Sequence, residues 1–405
     1  MTLRTAFSRL PDPRMARRRR YPLADLLFIA LCAILCGANN FVEIQSWAKA
    51  KQEWLEKRLH LEQGIPSHDT FGRVFARLDA KIFAQCFHQW TQEISMRVKG
   101  DIIAIDGKAL RHSFDTATNQ AALHLVSAWA CRQRLVLEQE AVRSKSNEIT
   151  AIPQLLYRLD IEGCLVTIDA MGCQRNIAQQ IQDQKADYCL SLKGNQSQLH
   201  DTIRKFFTRA RADNWQFDVG IFARPIEHWE CQSVEKGHGR MEIRRCFVVE
   251  AATAWLTQEQ LSDWSGLASV ACIESERTVN GKTTVEQRYF LTSLVPSNKE
   301  SNKESNKEKK KSIAKLVLQG VRSHWGIENS LHWILDVAFG EDDSRVRRDN
   351  AQANLATLRR LSVSLVRQEK SVKVGAKAKR LMAGWDNDYL LTILAGQSEQ
   401  TEQTV

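Results

Sequence analysis

No apolar run in this chain is long enough to cross a bilayer. The longest, LLFIALCAILC at Leu26 to Cys36, covers 11 residues, and a spanning helix needs about 20. It reads as a buried core helix, with a membrane-surface helix as the alternative because RMARRRRYPLAD precedes it. No signal peptide is legible, and the expected compartment is the cytoplasm. The ten cysteines include no CxxC pair and no Cys/His spacing of a zinc finger. They are expected to be reduced core residues rather than a disulfide framework or zinc site. Acidic residues are the minority, 47 against 57 Lys and Arg, for a net charge of +10. That excess favours a polyanionic partner, nucleic acid before acidic membrane.

The texture of the 405 residues changes along the chain. Residues 1–20 are rich in Arg and Pro and are expected to be mobile. Pro22 opens a helix with Asp25 in its first turn. Helical text continues to about residue 98, broken at EQGIPSHDT, where Gly64 stops one helix and Ser67 or Asp69 caps the next. This block, 1–98, reads as a helical domain, either a DNA-reading helix-turn-helix or a plain bundle. From residue 101, three short strands precede alternating helices and strands, the pattern of a mixed α/β sheet over 99–213. Residues 214–296 read as a β-rich insertion. SNKE then occurs three times between Ser297 and Glu308, and 297–311 is expected to be a disordered linker. Helical, basic text fills 312–385, and 386–405 reads as a polar tail.

Two stretches repeat one arrangement. IIAIDGKALR and LVTIDAMG each end a core strand in Ile-Asp followed by a small residue, placing Asp106 and Asp169 63 residues apart. Strand ends along one edge of an open α/β sheet form its natural site. Two aspartates there repel unless a cation lies between them, and Mg²⁺ takes a few carboxylate oxygens. Taken singly, each aspartate is equally a strand-end cap. Glu328, in RSHWGIENSLHW, shares a helical face with His324, His332 and Asp336. A structural Glu328–His332 pair, or metal binding by the two histidines, are the alternatives.

The stretches IAIDGKALR, TIDAMGCQ, LKGNQ, HGRMEIRR and HWGIENSLHWILDVAFGEDDSRVRRDNAQANLATLRRL resemble bacterial insertion-sequence transposases of the DDE class, most closely the H-repeat-associated branch. DPR and IPSHDTFGRVFARLD fit the same group, and the similarity spans roughly residues 10–385. The resemblance implies an RNase H-like mixed-sheet catalytic core, with an N-terminal helical domain that binds DNA ends and a β-rich insertion before the last catalytic helix. It implies Asp106, Asp169 and Glu328 as catalytic carboxylates holding two Mg²⁺ or Mn²⁺ ions. Double-stranded DNA, both element ends and target, is the implied partner. A homodimer in the synaptic complex is implied too, with no membrane and a nucleoid-associated location. Related groups carry a tyrosine and an arginine ahead of the glutamate. Val321 and His324 stand at those spacings here, leaving the cationic role to His324, to Arg322, or to neither.

Gly107 is expected to let a phosphate backbone approach. Lys108, Arg111, Lys193 and Asn195 follow the strand ends as expected DNA contacts, with ordinary surface charge as the alternative. His238, Arg240 and Arg244 in the insertion are further candidates. The densest cations are Arg17 to Arg20, Arg345, Arg347, Arg348, Arg359 and Arg360. Neutralising about six phosphates would give a slope near −5 in log K against log salt.

Overall fold

A computed structural model describes residues 7–94, 98–114, 121–142, 148–219, 222–237, 239–296 and 306–395. The fold is mixed α/β and forms two compact units. The first draws on Met1–Val98, Asp106–Leu159 and Gly326–Val405, the second on Lys99–Ile105 and Asp160–Trp325.

The first unit begins with five helices: α1 (Leu23–Leu35), α2 (Phe41–Ala50), α3 (Gln52–Glu56), α4 (His68–Arg77) and α5 (Ala80–Ile94). Helix α1 is buried almost all round, as expected of an apolar core helix. No helix among the described residues is long and apolar enough to cross a membrane. Ser67 caps α4 by accepting from Thr70 N. The continuous helix expected over FGRVFARLDAKIF is in fact two. Leu78 is extended, and the Asp79 carboxylate accepts from Lys81 N and Ile82 N, so a new helix starts there. The N-terminal arm differs from expectation over residues 7–20. Phe7 and Leu10 are buried, Phe7 packs on Phe83 at 5.9 Å, and Arg14 is tied to Asp12 and to the Tyr21 carbonyl. Two apolar side chains outweigh the polar composition of the arm.

Strands β1 (Ile102–Ala109), β2 (His124–Ala130) and β3 (Leu135–Val142) precede α6 (Glu148–Arg158). The second half of β1 belongs to the first unit, where β2 lies between β1 and β3 and pairs antiparallel with β3.

The second unit holds β4 (Leu165–Ile168), α7 (Arg175–Asp183), β5 (Asp187–Leu192) and α8 (Ser197–Ala212). Its strands β6 (Gln216–Val219) and β7 (Phe222–Pro225) form a small hairpin. Then come β8 (Trp229–Gly237), β9 (Arg240–Glu250), α9 (Gln258–Ser262), β10 (Ser269–Val279) and β11 (Lys282–Thr292). The first half of β1 pairs parallel with β4, and β4 parallel with β5. The order continues β11, β10, β9, β8, all antiparallel. The β-rich insertion therefore extends the core sheet: Tyr289 to Thr292 of β11 pair with Leu192 to Cys189 of β5. Asn280 and Gly281, both at positive φ, turn β10 into β11, as an Asn-Gly pair does in a tight hairpin. None of the ten cysteines is in a disulfide.

Helix α10 (Asn306–Ile327) leads through a π-helical turn, Glu328–His332, into α11 (Trp333–Val337). The expected linker lies outside the described residues up to 305. From Asn306 the chain is already helical, consistent with Lys and Glu being good helix formers. Helix α12 (Ala351–Gln368) is buried on all sides. Several of its polar residues are bonded: Asn354 donates to the Phe75 and Leu78 carbonyls, both at 2.8 Å, and Thr357 accepts from Gln139. Helices α13 (Ala376–Trp385) and α14 (Asn387–Ala395) follow. Residues 387–395 are thus no polar tail, because Tyr389, Leu390 and Ile393 are buried.

Between α12 and α13, burial pushes the Glu369 carboxyl up, but Lys379, Ser371 and the Tyr389 hydroxyl hydrogen-bond it and bring it from an ordinary 4.5 down to about 2. A depressed carboxyl contributes its stability in full above the unfolded value. That contribution drains as pH falls from about 4.5 towards 2. Urea titrations at stepped pH are expected to show this acid loss in the parent protein and a flatter curve in Glu369→Gln.

Candidate active site

Two strands organise the candidate residues: β4 ends just before Asp169 as expected, whereas β1 runs on to Ala109, so Asp106 lies within it rather than at its end. Ile105 of β1 is the register partner of Ile168 of β4, and an aspartate follows each: Asp106 and Asp169. Apolar side chains fix both strands up to that point, since Ile102 to Ile105 and all of β4 are buried.

In the first unit, Asp106 is partly exposed and its Oδ2 lies 3.5 Å from His332 Nδ1. His332 ends the π turn. A straight α-helix would place residues 324, 328, 332 and 336 in one row. The π turn inserts extra winding at 328–332 and breaks that row, as such bulges do at functional sites. Glu328 opens the turn and is exposed. It has no hydrogen-bond or ion-pair partner among the described residues, so the alternative Glu328–His332 pair does not form. Ile327, Leu331 and Leu335 are buried and anchor the segment.

Lys108 corrects an expectation. It is 8 % exposed, and its Nζ lies 2.8 Å from Asp336 and 2.7 Å from Asp342. A cation enclosed by two acids is a structural clasp rather than a free phosphate contact. Burial, reinforced by Asp342 and Glu341, raises the Asp336 carboxyl against the pull of Lys108. Asp342 is the hub of this loop. It also meets the exposed Arg111 through Nε at 3.4 Å, and its carbonyl lies 2.6 Å from His112 Nδ1. The sequence offered one signal for it, the acidic EDD that follows α11. Gly107 is needed for a different reason from the one expected. A Cβ there would stand 2.3 Å from Glu148 Oε1, so a buried carboxylate rather than open space lies beside it. Arg345 and Arg348 are exposed. Arg359 and Arg360 are not: both lie in α12 at 1 % exposure or less. Arg360 pairs with Glu341 at 2.7 Å, and Arg359 donates to the Asn39 carbonyl. They are core residues and make no basic surface.

In the second unit, Asp169 caps a short 3₁₀ turn, Ala170–Gly172, its Oδ1 accepting from Met171 N at 3.0 Å and Gly172 N at 3.4 Å. The strand-end cap is therefore real, and it uses one carboxylate oxygen. Asn195 ties the next loop to it, Nδ2 donating to the Ala170 carbonyl at 2.6 Å. Lys193 stays exposed. Helix α10 packs tightly on β4 at Gly320, where a Cβ would meet Leu165 at 2.9 Å. His324 Nδ1 and Thr167 Oγ1 lie 3.3 Å apart. Burial holds His324 below its ordinary 6.5, with Asp169 and Thr167 opposing. That direction weighs against His324 among the alternatives for the cationic role. An NMR titration of the His324 ring is expected to give a midpoint below 6.5. Arg322 is ion-paired with Glu235, and Arg244 with Glu235 and Glu242. Arg240 is exposed, and His238 lies outside the described residues.

The donor chemistry of Asp106, Asp169 and Glu328, hard carboxylate oxygens, suits Mg²⁺ or Mn²⁺. Among the described residues, no group of three or more His, Cys, Asp or Glu side chains stands together closely enough to hold a metal ion.

Residues 97–365 match the profile described as "Transposase DDE domain", and residues 4–91 match "DDE_Tnp_1-associated". The chain is 36% identical over 393 residues to a protein described as a transposase, YncI of Escherichia coli O157:H7, covering 96% of this chain and 93% of that one. It is 33% identical over 391 residues to the H repeat-associated YhhI of Escherichia coli K12, covering 96% of each. A solved piggyBac transposase synaptic complex with hairpin DNA aligns at TM-score 0.40 and 11% identity, over 98% of this chain and 78% of that chain. With a domain profile matching most of its length and relatives of this identity along nearly all of it, the chain belongs to the DDE transposase family.

Proposed function

We propose that this transposase binds the ends of an insertion sequence, cleaves DNA there and joins the freed 3′ end to a target, with Asp106, Asp169 and Glu328 as its catalytic carboxylates. The observation that carries the reading is the register of β1 and β4: both aspartates follow directly on the pair Ile105 and Ile168. Glu328 adds an exposed, uncommitted carboxylate at the start of a π turn. Parallel β1, β4 and β5, with the β2–β3 hairpin ahead of them in sequence, support an RNase H-like core.

Asp106, Asp169 and Glu328 would hold two Mg²⁺ or Mn²⁺ ions, which when bound supply an activated oxygen nucleophile and charge stabilisation for in-line displacement at phosphorus. The chain's own residues do the positioning. His332 sets the orientation of Asp106. Two backbone amides hold one oxygen of Asp169. His324 joins α10 to β4 through Thr167. Exposed Arg111, Lys193, Asn195, Arg240, Arg345 and Arg348 contact the DNA backbone, and two copies of the chain hold two ends.

The test is incubation of the purified protein and Mg²⁺ or Mn²⁺ with DNA carrying the flanking element ends. Metal-dependent cuts at the end, and joined products from pre-cut ends, are expected. Cutting without joining would reduce the protein to a nuclease. No metal-dependent product of either kind would overturn the proposal.

A further inference from the structure

Outside the site described above, the first unit carries a cavity of about 690 Å³ between the β2–β3 turn and the segment joining α12 to α13. Arg132 and Arg134 line it from the turn, Arg367 from the end of α12, and Lys370 and Lys373 from the segment. We infer that this cavity is a binding site for the phosphate backbone of duplex DNA flanking the cut position.

Four observations carry this. First, Glu369 is the one carboxylate among the described residues lining the cavity, and it is already committed to Lys379, Ser371 and Tyr389. Among the described residues, none of Arg134, Arg367, Lys370 or Lys373 has a carboxylate partner. These four gathered cations without a carboxylate partner among the described residues call for an external polyanion. Second, Arg367 is half-buried and, among the described residues, hydrogen-bonds only the Ser330 carbonyl, at 3.4 Å through Nη2. Its Nε is buried without an acceptor, so the guanidinium has unused donors. Third, Arg134 sits at φ 55°, a conformation that glycine adopts freely and arginine does not. The turn keeps a strained arginine where a glycine would fit, which points to a use for the side chain.

The fourth observation is placement. Leu110 N donates to the Leu123 carbonyl at 2.8 Å, so β2 starts where β1 ends, near Asp106. The turn at 131–134 is at the far end of β2. At about 3.4 Å per residue, that separates it from the carboxylate edge by on the order of 15–20 Å. The cavity therefore does not hold the phosphate being cut. Successive phosphates of one strand recur about every 3.4 Å along a duplex, so the contact falls several base pairs from the cut.

The ligand class rests on the transposase reading, but the test does not require cleavage. Arg134→Gly with Lys373→Ala removes two exposed charges, and glycine suits the backbone at 134. Affinity for a 40-base-pair duplex carrying an element end is measured by anisotropy across a salt series. At about 0.9 per phosphate released, the slope of log K against log salt should become shallower by about 2, with affinity at least about tenfold weaker at low salt. Arg134→Lys should keep the parent slope. An unchanged slope and affinity in the double variant would overturn the inference. So would a loss of polyglutamate binding with duplex binding intact, which would assign the cavity to an acidic protein. If the parent protein bound duplex but never cut it, the transposase reading would fall while the slope difference still reported on the cavity.

Discussion

Asp106→Asn is expected to lower strand cleavage at least about 10³-fold while duplex affinity stays within about threefold. The substitution keeps shape and volume and removes one negative charge. Asp106 is partly exposed, lies within β1 just past the buried Ile105, and has His332 at 3.5 Å, and asparagine keeps a polar side chain of the same size there. A DNA-binding surface would gain, if anything, from losing an acid near a phosphate. Only a role that needs the anion, such as holding a divalent cation, predicts lost cleavage with binding kept. Asp336→Asn is the informative companion. Asp336 shares Lys108 with Asp342, so its loss leaves Lys108 one partner and should cost stability more than chemistry. If Asp106→Asn still nicked the element end at the parent rate, the carboxylate assignment would be wrong.

The parts of this protein that followed from local chemistry were readable in the residues. Buried strands announced themselves as unbroken apolar runs, which is why Asp106 and Asp169 could be placed just past buried strand residues before any register was known, although only Asp169 follows a strand end and β1 runs on to Ala109. The core helix at Leu23–Leu35 was legible for the same reason, and the cap was narrowed to Ser67 or Asp69, of which the structure uses Ser67. What stayed hidden depended on tertiary partners. Nothing in ENSLH signals a π turn, although the turn lies beside the buried Leu331 and Leu335. Lys108 reads as a free cation until Asp336 and Asp342, more than 200 residues later, close on it. The insertion reads as a separate β module because a sequence does not show β11 choosing β5 as its neighbour.

Arg359 and Arg360 are the sharpest case, and they give the second large effect. Glu341→Gln is expected to destabilise the protein by about 3–5 kcal/mol, because it strands a fully buried guanidinium without its counter-ion. Arg360 Nη1 and Glu341 Oε1 are 2.7 Å apart, both side chains are 0 % exposed, and Ser127 and the Ala356 carbonyl are the other acceptors near Arg360. Replacing both members together, Glu341→Leu with Arg360→Met, should recover much of that loss, since a buried ion pair is often no better than apolar residues of similar volume. Urea unfolding of the two single variants and the double variant measures the coupling. Duplex binding separates this from the surface reading of the same arginine. An exposed phosphate contact would shorten the salt slope by about 0.9 when Arg360 becomes Met and leave stability nearly unchanged. The buried pair predicts the reverse, a large stability loss and an unaltered slope in whatever fraction stays folded.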